Sequence, residues 1–390
     1  MLLRILFAFL IACCFRPVVA AERMFAERHL EDANLYYQGE IPIAIFTGTP
    51  EDIGRQHAEL LAKSSKPIMA FPKQFMAEYG ADRYWPLAAV AAKSLMLNTP
   101  ERYRRELLAT AEHEDFDAQV LDVANTLLEL RRLGCSTVIV DSKNTTSGGP
   151  LFGRNFDFPT LDILNRYSLL AVYRPEKGHP FASVGFPGLG GVFSGMNDAG
   201  LAVATLDVYR AGDESPKFAP QGEPLGFVFR RILEECTNVE EAEKLLGEVK
   251  ATTWMNLAVC DVQGGAVFEI SPKQIVRRNA QPDQRVLPAT NHFRSEELTV
   301  GERCWRYPRL MQLGKEQGVT VDRVHQYLQM VGFETMTLQT MVFEPKTRTL
   351  HLSIGDMPSA AGELTAIALE PLFASKQAST QSSSHTAGTE

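Results

Sequence analysis

Gly134-Cys135-Ser136-Thr137-Val138-Ile139-Val140 is the stretch at which the period of this chain changes. Upstream, a run from about Glu101 to Leu133 carries Val120, Ala124, Leu127 and Leu128 at helical spacing, which predicts a helix ending at Gly134. Downstream, the apolar runs are short and separated by turn residues, the mark of strands. Cys135 therefore stands at a helix-to-strand junction. If the bond before it were cut, Cys135 would head a new chain, with its thiol as nucleophile and its own α-amine as base. The plainer alternative makes Gly134 a helix cap and Cys135 a small buried residue.

Outward from that junction, residues 21–134 read as mostly helical. Thr49 has the character of an N-cap, with Pro50 at the first helical position and Glu51 and Asp52 in the first turn. Ile53, His57, Leu60 and Leu61 would share one face of that helix. After the junction, Ser136–Val140 and Leu151–Phe158 read as strands joined by the polar loop Asp141–Pro150, and further strands are expected at 168–174, 181–186 and 201–208. Helices are expected across 224–248, then a hairpin of Trp254–Cys260 with Ala266–Ile270. Two more helices follow at about 303–314 and 320–331, and a last hairpin pairs Thr340–Phe343 with Thr349–Ile354. Strands, helices and strands again predict a layered α+β fold of antiparallel sheets rather than a βαβ series. Residues 375–390, rich in Ser, Thr, Ala and Gln, read as a disordered tail.

At 390 residues, 45% of them hydrophobic, the chain can bury one large core or two smaller ones. A net charge of −8 without a basic run argues against nucleic acid. Residues 1–20 have the plan of an export signal: Arg4, the apolar run Ile5 to Cys14, then Val18-Val19-Ala20 before Ala21. A second reading takes Leu10-Ile11-Ala12-Cys13 as a lipoprotein box that leaves a lipid anchor on Cys13. Either way the protein is expected outside the cytoplasm, periplasmic or extracellular. Export leaves Cys135, Cys236, Cys260 and Cys304, so if Cys135 stays free at most one disulfide can form. There is no G-x-S-x-G, H-E-x-x-H, P-loop, G-x-G-x-x-G or C-x-x-C, and the eight histidines lack ligand spacing. No metal and no cofactor are expected.

Three polar segments remain. Gly153-Arg154-Asn155-Phe156-Asp157-Phe158 puts Arg154 and Phe156 on one strand face and Asn155 and Asp157 on the other; a hairpin would lay it beside Cys135. A solvated edge strand explains it equally well. Asn197-Asp198-Ala199-Gly200-Leu201 is accounted for by turn chemistry. Thr290-Asn291-His292-Phe293 offers a side-chain amide that either donates to an oxyanion or caps a loop.

In their common order these segments resemble the acyl-CoA:6-aminopenicillanate acyltransferase-like family and, more distantly, the choloylglycine hydrolases, both N-terminal nucleophile hydrolases. Gly48-Thr49-Pro50 with Gly54-Arg55-Gln56-His57 resembles the family's opening motif, Gly134–Thr137 its processing site and Gly153–Asp157 its G-R-N-x-D strand. The resemblance spans roughly residues 40–360. It implies an αββα four-layer sandwich and self-cleavage before Cys135. The chain would then comprise the signal (1–20), a helical small fragment (21–134), the catalytic domain (135–374) and the tail (375–390), with the two fragments staying associated. It implies Cys135 as nucleophile and base, Arg154 and Asp157 positioning amine and thiol, and Asn291 holding the oxyanion or the amine. Arg306 resembles a later family arginine, with Cys304 standing near it where a serine is usual. Leu206-Asp207 departs from the choloylglycine hydrolases, which carry an oxyanion-binding Asn there. The activity implied is hydrolysis or acyl transfer at a linear amide bond of a small molecule. The alternatives are a self-processing peptidase and, because of Asp207, an inactive envelope binding protein.

Overall fold

A computed structural model describes residues 23–126, 134–281 and 283–374. The expected export signal with Cys13, the expected helix end at 127–133 and the expected tail lie outside the described residues.

Thr49 caps as expected. Its hydroxyl accepts from Asp52 N while Asp52 Oδ2 accepts from Thr49 N, closing a capping box at the start of α1 (Pro50–Glu78). Ile53, His57, Leu60 and Leu61 all lie buried on it. The chain before it is not helical, however. Strands β1 (Arg28–His29), β2 (Asn34–Gln38) and β3 (Ile41–Gly48) precede the cap. They alternate poorly because β3 is buried on both faces, so their sequence lacks a period-2 signal.

Three helices complete the N-terminal part: α2 (Trp85–Met96), α3 (Glu101–Ala111) and α4 (Ala118–Thr126). The continuous helix expected from Glu101 is thus broken. Asp117 accepts backbone N–H bonds from Gln119 and Val120, and this local cap restarts the helix as α4.

Gly134 opens a strand rather than closing a helix. β4 (Gly134–Val140) and β5 (Leu151–Asp157) form the expected hairpin, followed by β6 (Leu169–Pro175), β7 (Phe181–Gly185), β8 (Ser194–Asn197) and β9 (Ala202–Asp207). Next come α5 (Leu225–Glu235) and α6 (Val239–Gly247), separated because Asn238 caps the second. β10 (Met255–Cys260), β11 (Gly265–Ile270), β12 (Ile275–Arg278) and β13 (Val286–Ala289) follow, then α7 (Arg306–Gln312) and α8 (Val321–Val331). β14 (Thr337–Glu344), β15 (Thr349–Ile354) and β16 (Thr365–Ala368) end the fold.

The strands make two sheets. One has the order β1-β2-β3-β6-β7-β8-β9-β10-β11-β12, the other β13-β4-β5-β14-β15-β16. All pairs are antiparallel except β3 with β6, which is parallel because the helices α1–α4 intervene. The sheets pack on each other through β4 against β9 and β11 against β13. α1, α5 and α6 cover the larger sheet, α7 and α8 the smaller. The result is the four-layer αββα sandwich. Its main core fills the space between the sheets; a second, with Val138, Val140, Val324, Leu328 and Val342, lies under α8. Among the described residues no helix is long and apolar enough to cross a membrane.

The N-terminal part is woven into this frame rather than laid beside it. β1–β3 extend the larger sheet, and α3 joins α5 through a buried charge network. Arg230 donates to both carboxylate oxygens of Glu106 (2.8 and 2.6 Å) and to Glu234 (2.8 Å), while Tyr103 OH donates to Glu234 (2.7 Å). Rings of Tyr103 and Tyr173 sandwich the guanidinium. Replacing Arg230 by Ala strands the buried Glu106 carboxylate and leaves Glu234 with Tyr103 and Arg102, so we expect a loss of about 3–5 kcal/mol in urea or thermal unfolding. A loss under 1 kcal/mol would show that water or relaxation compensates them.

Candidate active site

Alternation along the hairpin decides what meets Cys135. The register pairs Cys135 with Phe156 and Thr137 with Arg154, so Cys135 and Arg154 face the space between the sheets. Gly134 pairs with Asp157 on the opposite face, toward α7 and α8. Cys135 is fully buried, as are Arg154, Asp157 and Asn291.

Each polar atom of Cys135 has its own partner. Arg154 Nη2 lies 3.8 Å from the thiol, and the backbone N–H of Asp157 also faces it. The Cys135 N–H donates to Asn291 Oδ1 at 2.8 Å, and its carbonyl accepts from Arg306 Nη1 at 2.7 Å. Arg306 Nη2 donates to the same Asn291 oxygen at 2.7 Å, which identifies that atom as the amide oxygen. The amide nitrogen is engaged by the carbonyl of Asp207 at 2.8 Å. Asn291 therefore turns an acceptor toward the Cys135 nitrogen, the geometry of an amine holder rather than of an oxyanion donor. It comes from the loop after β13, held there by Asn256, which donates to the carbonyls of Thr290 and His292.

Asp157 does not reach the Cys135 nitrogen. Its carboxyl accepts from Thr337 Oγ1 (2.6 Å) and lies 3.4 Å from Arg306 Nη1, so it steadies Cys135 through Arg306. Burial pushes this carboxyl up to about 6 despite Thr337 and Arg306. Burial also pushes the thiol up to about 11 in the uncut chain, against the pull of Arg154. Arg154 is an unusual buried cation. It donates to the Thr205 carbonyl at 2.5 Å, stacks over Phe156, and leaves Nε without a partner. Charge developing on sulfur would be stabilised by it.

Asp207, the departure from the choloylglycine pattern, serves Asn291 through its backbone carbonyl. Asn197 is not part of the site: it donates to the carbonyls of Leu233 and Cys236 and accepts from Leu201 N, a turn and helix-end role. The opening motif is structural as well. Gln56 bonds both backbone groups of Thr47, and His57 Nε2 accepts from Gly188 N. Burial, then Arg230, lowers His57 to about 3, which keeps it neutral.

Sequence reasoning missed Thr337, Tyr209 and Phe333. The Tyr209 phenol is raised by burial and then by the nearby Cys135 and Asp207. Phe333 lies under the Arg306 guanidinium and against Gly134, where an added Cβ would stand 3.3 Å from its ring and 3.1 Å from Asp157 Cβ. No motif spacing marks these three; only packing brings them to Cys135. Among the described residues no group of His, Cys, Asp or Glu is placed to hold a metal ion.

Cys304 is the second notable thiol. Burial opposes its ionisation, yet hydrogen bonds from His292, Thr290 and the backbone N–H groups of Tyr307 and Arg306 lower it to about 6. Cys236, by contrast, is pushed up to about 12 by burial. Iodoacetamide at pH 7, read by peptide mapping, should therefore label Cys304 readily and Cys236 slowly. The Cys304 rate should fall as pH drops through about 6; a midpoint near the ordinary value of about 8.5 would overturn the assignment.

The chain is similar in part to several known proteins. The family model described as acyl-coenzyme A:6-aminopenicillanic acid acyl-transferase matches residues 143–305. An uncharacterized Archaeoglobus fulgidus protein is 24% identical over 265 residues, which are 59% of this chain and 44% of that one, so the chain spans under half of that relative's length. Among solved structures, the Caenorhabditis elegans ortholog of N-acylethanolamine-hydrolyzing acid amidase is 16% identical, over 60% of this chain and 100% of that one, at TM-score 0.43. A conjugated bile acid hydrolase from Clostridium perfringens is 15% identical, over 62% and 95%, at TM-score 0.44. Penicillin V acylase from Agrobacterium tumefaciens is 14% identical, over 62% and 89%, at TM-score 0.39. The family match takes in Arg154, Asp157 and Asn291 and begins after Cys135.

Proposed function

We propose that this protein is an exported amidase or N-acyltransferase that cuts its own chain before Cys135 and then uses Cys135 on linear amide bonds of small molecules. The observation that carries the reading is that the nitrogen, the carbonyl and the sulfur of Cys135 are each held by a different buried side chain: Asn291, Arg306 and Arg154. A buried structural cysteine needs partners for its backbone groups but no cation at its sulfur.

In self-cleavage the thiol attacks the Gly134 carbonyl and the C–N bond breaks. The acyl group passes to sulfur, and the Cys135 nitrogen takes the proton to become an amine. Water then releases Gly134 as a carboxylate. The new α-amine has a reference pKa of about 7.7, so near neutral pH it can take the thiol proton as a base. Asn291 Oδ1 accepts one of its N–H bonds and so aims the lone pair toward sulfur. With a substrate, sulfur adds to the amide carbonyl, and the amine leaves with the proton held by the α-ammonium. Water or a second amine then resolves the thioester, giving an acid or a new amide. Arg154 stabilises sulfur as it loses its proton.

Gly134 suits the step because Asp157 and Phe333 crowd it: an added Cβ would stand 3.1 and 3.3 Å from them, so one of them would have to give way. N-terminal sequencing of the purified mature protein should give a large fragment beginning Cys135-Ser136-Thr137. Cys135→Ala should remain one inactive chain, and an active but uncut wild type would sink the mechanism. Gly134→Ala must displace Asp157 or Phe333, and we expect it to slow self-cleavage by about tenfold or more on an SDS gel time course, without unfolding the protein. A peptidase reading predicts release of amino acids from peptides instead, and an inactive binder predicts no iodoacetamide adduct at Cys135.

A further inference from the structure

The glycine-rich segment Phe186-Pro187-Gly188-Leu189-Gly190-Gly191-Val192-Phe193 joins β7 to β8 without regular structure. Side chains from the N-terminal part hold its backbone. Asn125, near the end of α4, donates to the Gly188 carbonyl (2.8 Å) and accepts from the N–H groups of Gly190 (2.7 Å) and Gly191 (3.2 Å). Its remaining N–H goes to Leu121 O, so the buried amide is fully engaged. His57 takes Gly188 N–H, and Arg230, gripped by Glu106, donates to the Gly190 carbonyl. Gly188 and Gly190 therefore have both backbone groups tied to side chains. A side chain at Gly188 would be strained, because φ is +82°, and its Cβ would push aside the side-chain ends of Leu121 (2.8 Å) and Met69 (2.9 Å).

The far end of the segment reaches the thiol. The Phe193 ring lies 5.7 Å from Phe156, the cross-strand partner of Cys135. The Phe193 carbonyl accepts from Thr205 N, and the Thr205 carbonyl accepts from Arg154, whose other nitrogen faces the sulfur. Asn125 lies upstream of the proposed cut and Cys135 downstream of it. After cleavage no peptide bond links them, and these hydrogen bonds carry the coupling.

We propose that Asn125 is a positioning residue for Cys135: it fixes the 186–193 segment and thereby the seat of Arg154 and the aromatic wall beside the thiol. The small fragment is then a resident part of the site and not a discarded propeptide. This rests on the reading of Cys135 as nucleophile given above.

The test uses the full-length enzyme and iodoacetamide, with peptide mapping to separate Cys135 from Cys304. Asn125→Ala should still yield two co-purifying fragments, but alkylate at Cys135 about tenfold more slowly, with the midpoint of its pH profile moved upward. Asn125→Asp keeps acceptors for Gly190 and Gly191 and should fall between the two. Wild-type rate and midpoint in an assembled Asn125→Ala enzyme would overturn the proposal. Should the Ala variant not assemble, the Asp variant decides alone, a wild-type profile again overturning it. Hydrogen exchange on the wild type is a further arm that needs no variant. The Gly190 and Gly191 amides should be protected as well as those of β9, and rapid exchange refutes the clamp even where neither variant folds. An uncut wild type, or one unlabelled at Cys135, instead counts against the proposed function, because the exchange experiment reads the clamp independently.

Discussion

The pairing of β4 with β5 governs the rest of this molecule. Seven consecutive cross-strand partners, from Gly134 with Asp157 to Val140 with Leu151, set a register in which a slip of one residue would turn Cys135 and Arg154 out of the inter-sheet space. That register puts the thiol beside a buried guanidinium and puts Gly134 and Asp157 on the other face, toward Arg306 and Phe333. The hairpin cannot drift, because the apolar residues on both faces are buried in separate cores: Ile139, Phe152 and Phe156 between the sheets, Val138 and Val140 under α8.

Placing a cysteine there has electrostatic consequences. Burial first, and then the charge of Asp157, push the thiol up to about 11 and hold it neutral. Arg154 works in the opposite direction, but a buried cation is itself costly, and its Nε is left unsatisfied. Negative charge on sulfur would relieve the two costs together, so under the proposed function the arrangement would favour a reacting state over the resting one. Asp157 acts at one remove. Its carboxyl is raised by burial and contributes stability that is complete below about pH 4 and is lost as pH rises through about 6. Cys304, with its lowered thiol, sits within two residues of Arg306 and is bonded by the flanking neighbours of Asn291, so the loops that hold Cys135 carry a second ionisable sulfur.

Local signals in the sequence served well where the physics is local. The Thr49 capping box, the helical face of Ile53, His57, Leu60 and Leu61, and the β4–β5, β10–β11 and β14–β15 hairpins depend on residues close in the chain. A hairpin would lay the segment of Arg154 beside Cys135, but a solvated edge strand explained it equally well, and only the observed register puts Arg154 next to the thiol. Some differences arise where distance in sequence intervenes and others from a single local side chain. β1–β3 went unread because they are buried by partners far downstream, and the parallel β3–β6 pair joins residues on either side of α1–α4. The break between α3 and α4 turned on one carboxylate, Asp117, out-competing helix continuation.

Sequence alone placed Cys135 at a helix-to-strand junction, laid the segment of Arg154 beside it if a hairpin formed, and put Asn291 at the end of a later strand. These are statements about period, alternation and residue chemistry, which a chain carries along its length. Tertiary structure decided which end of the Asn291 amide faces Cys135, that Asp157 acts through Arg306, and that Asp207 contributes a backbone carbonyl. It also decided that Asn125 and His57 reach across to the 186–193 segment. Each of those depends on hydrogen-bond direction between groups tens to more than a hundred residues apart, and direction exists only once the layers have packed.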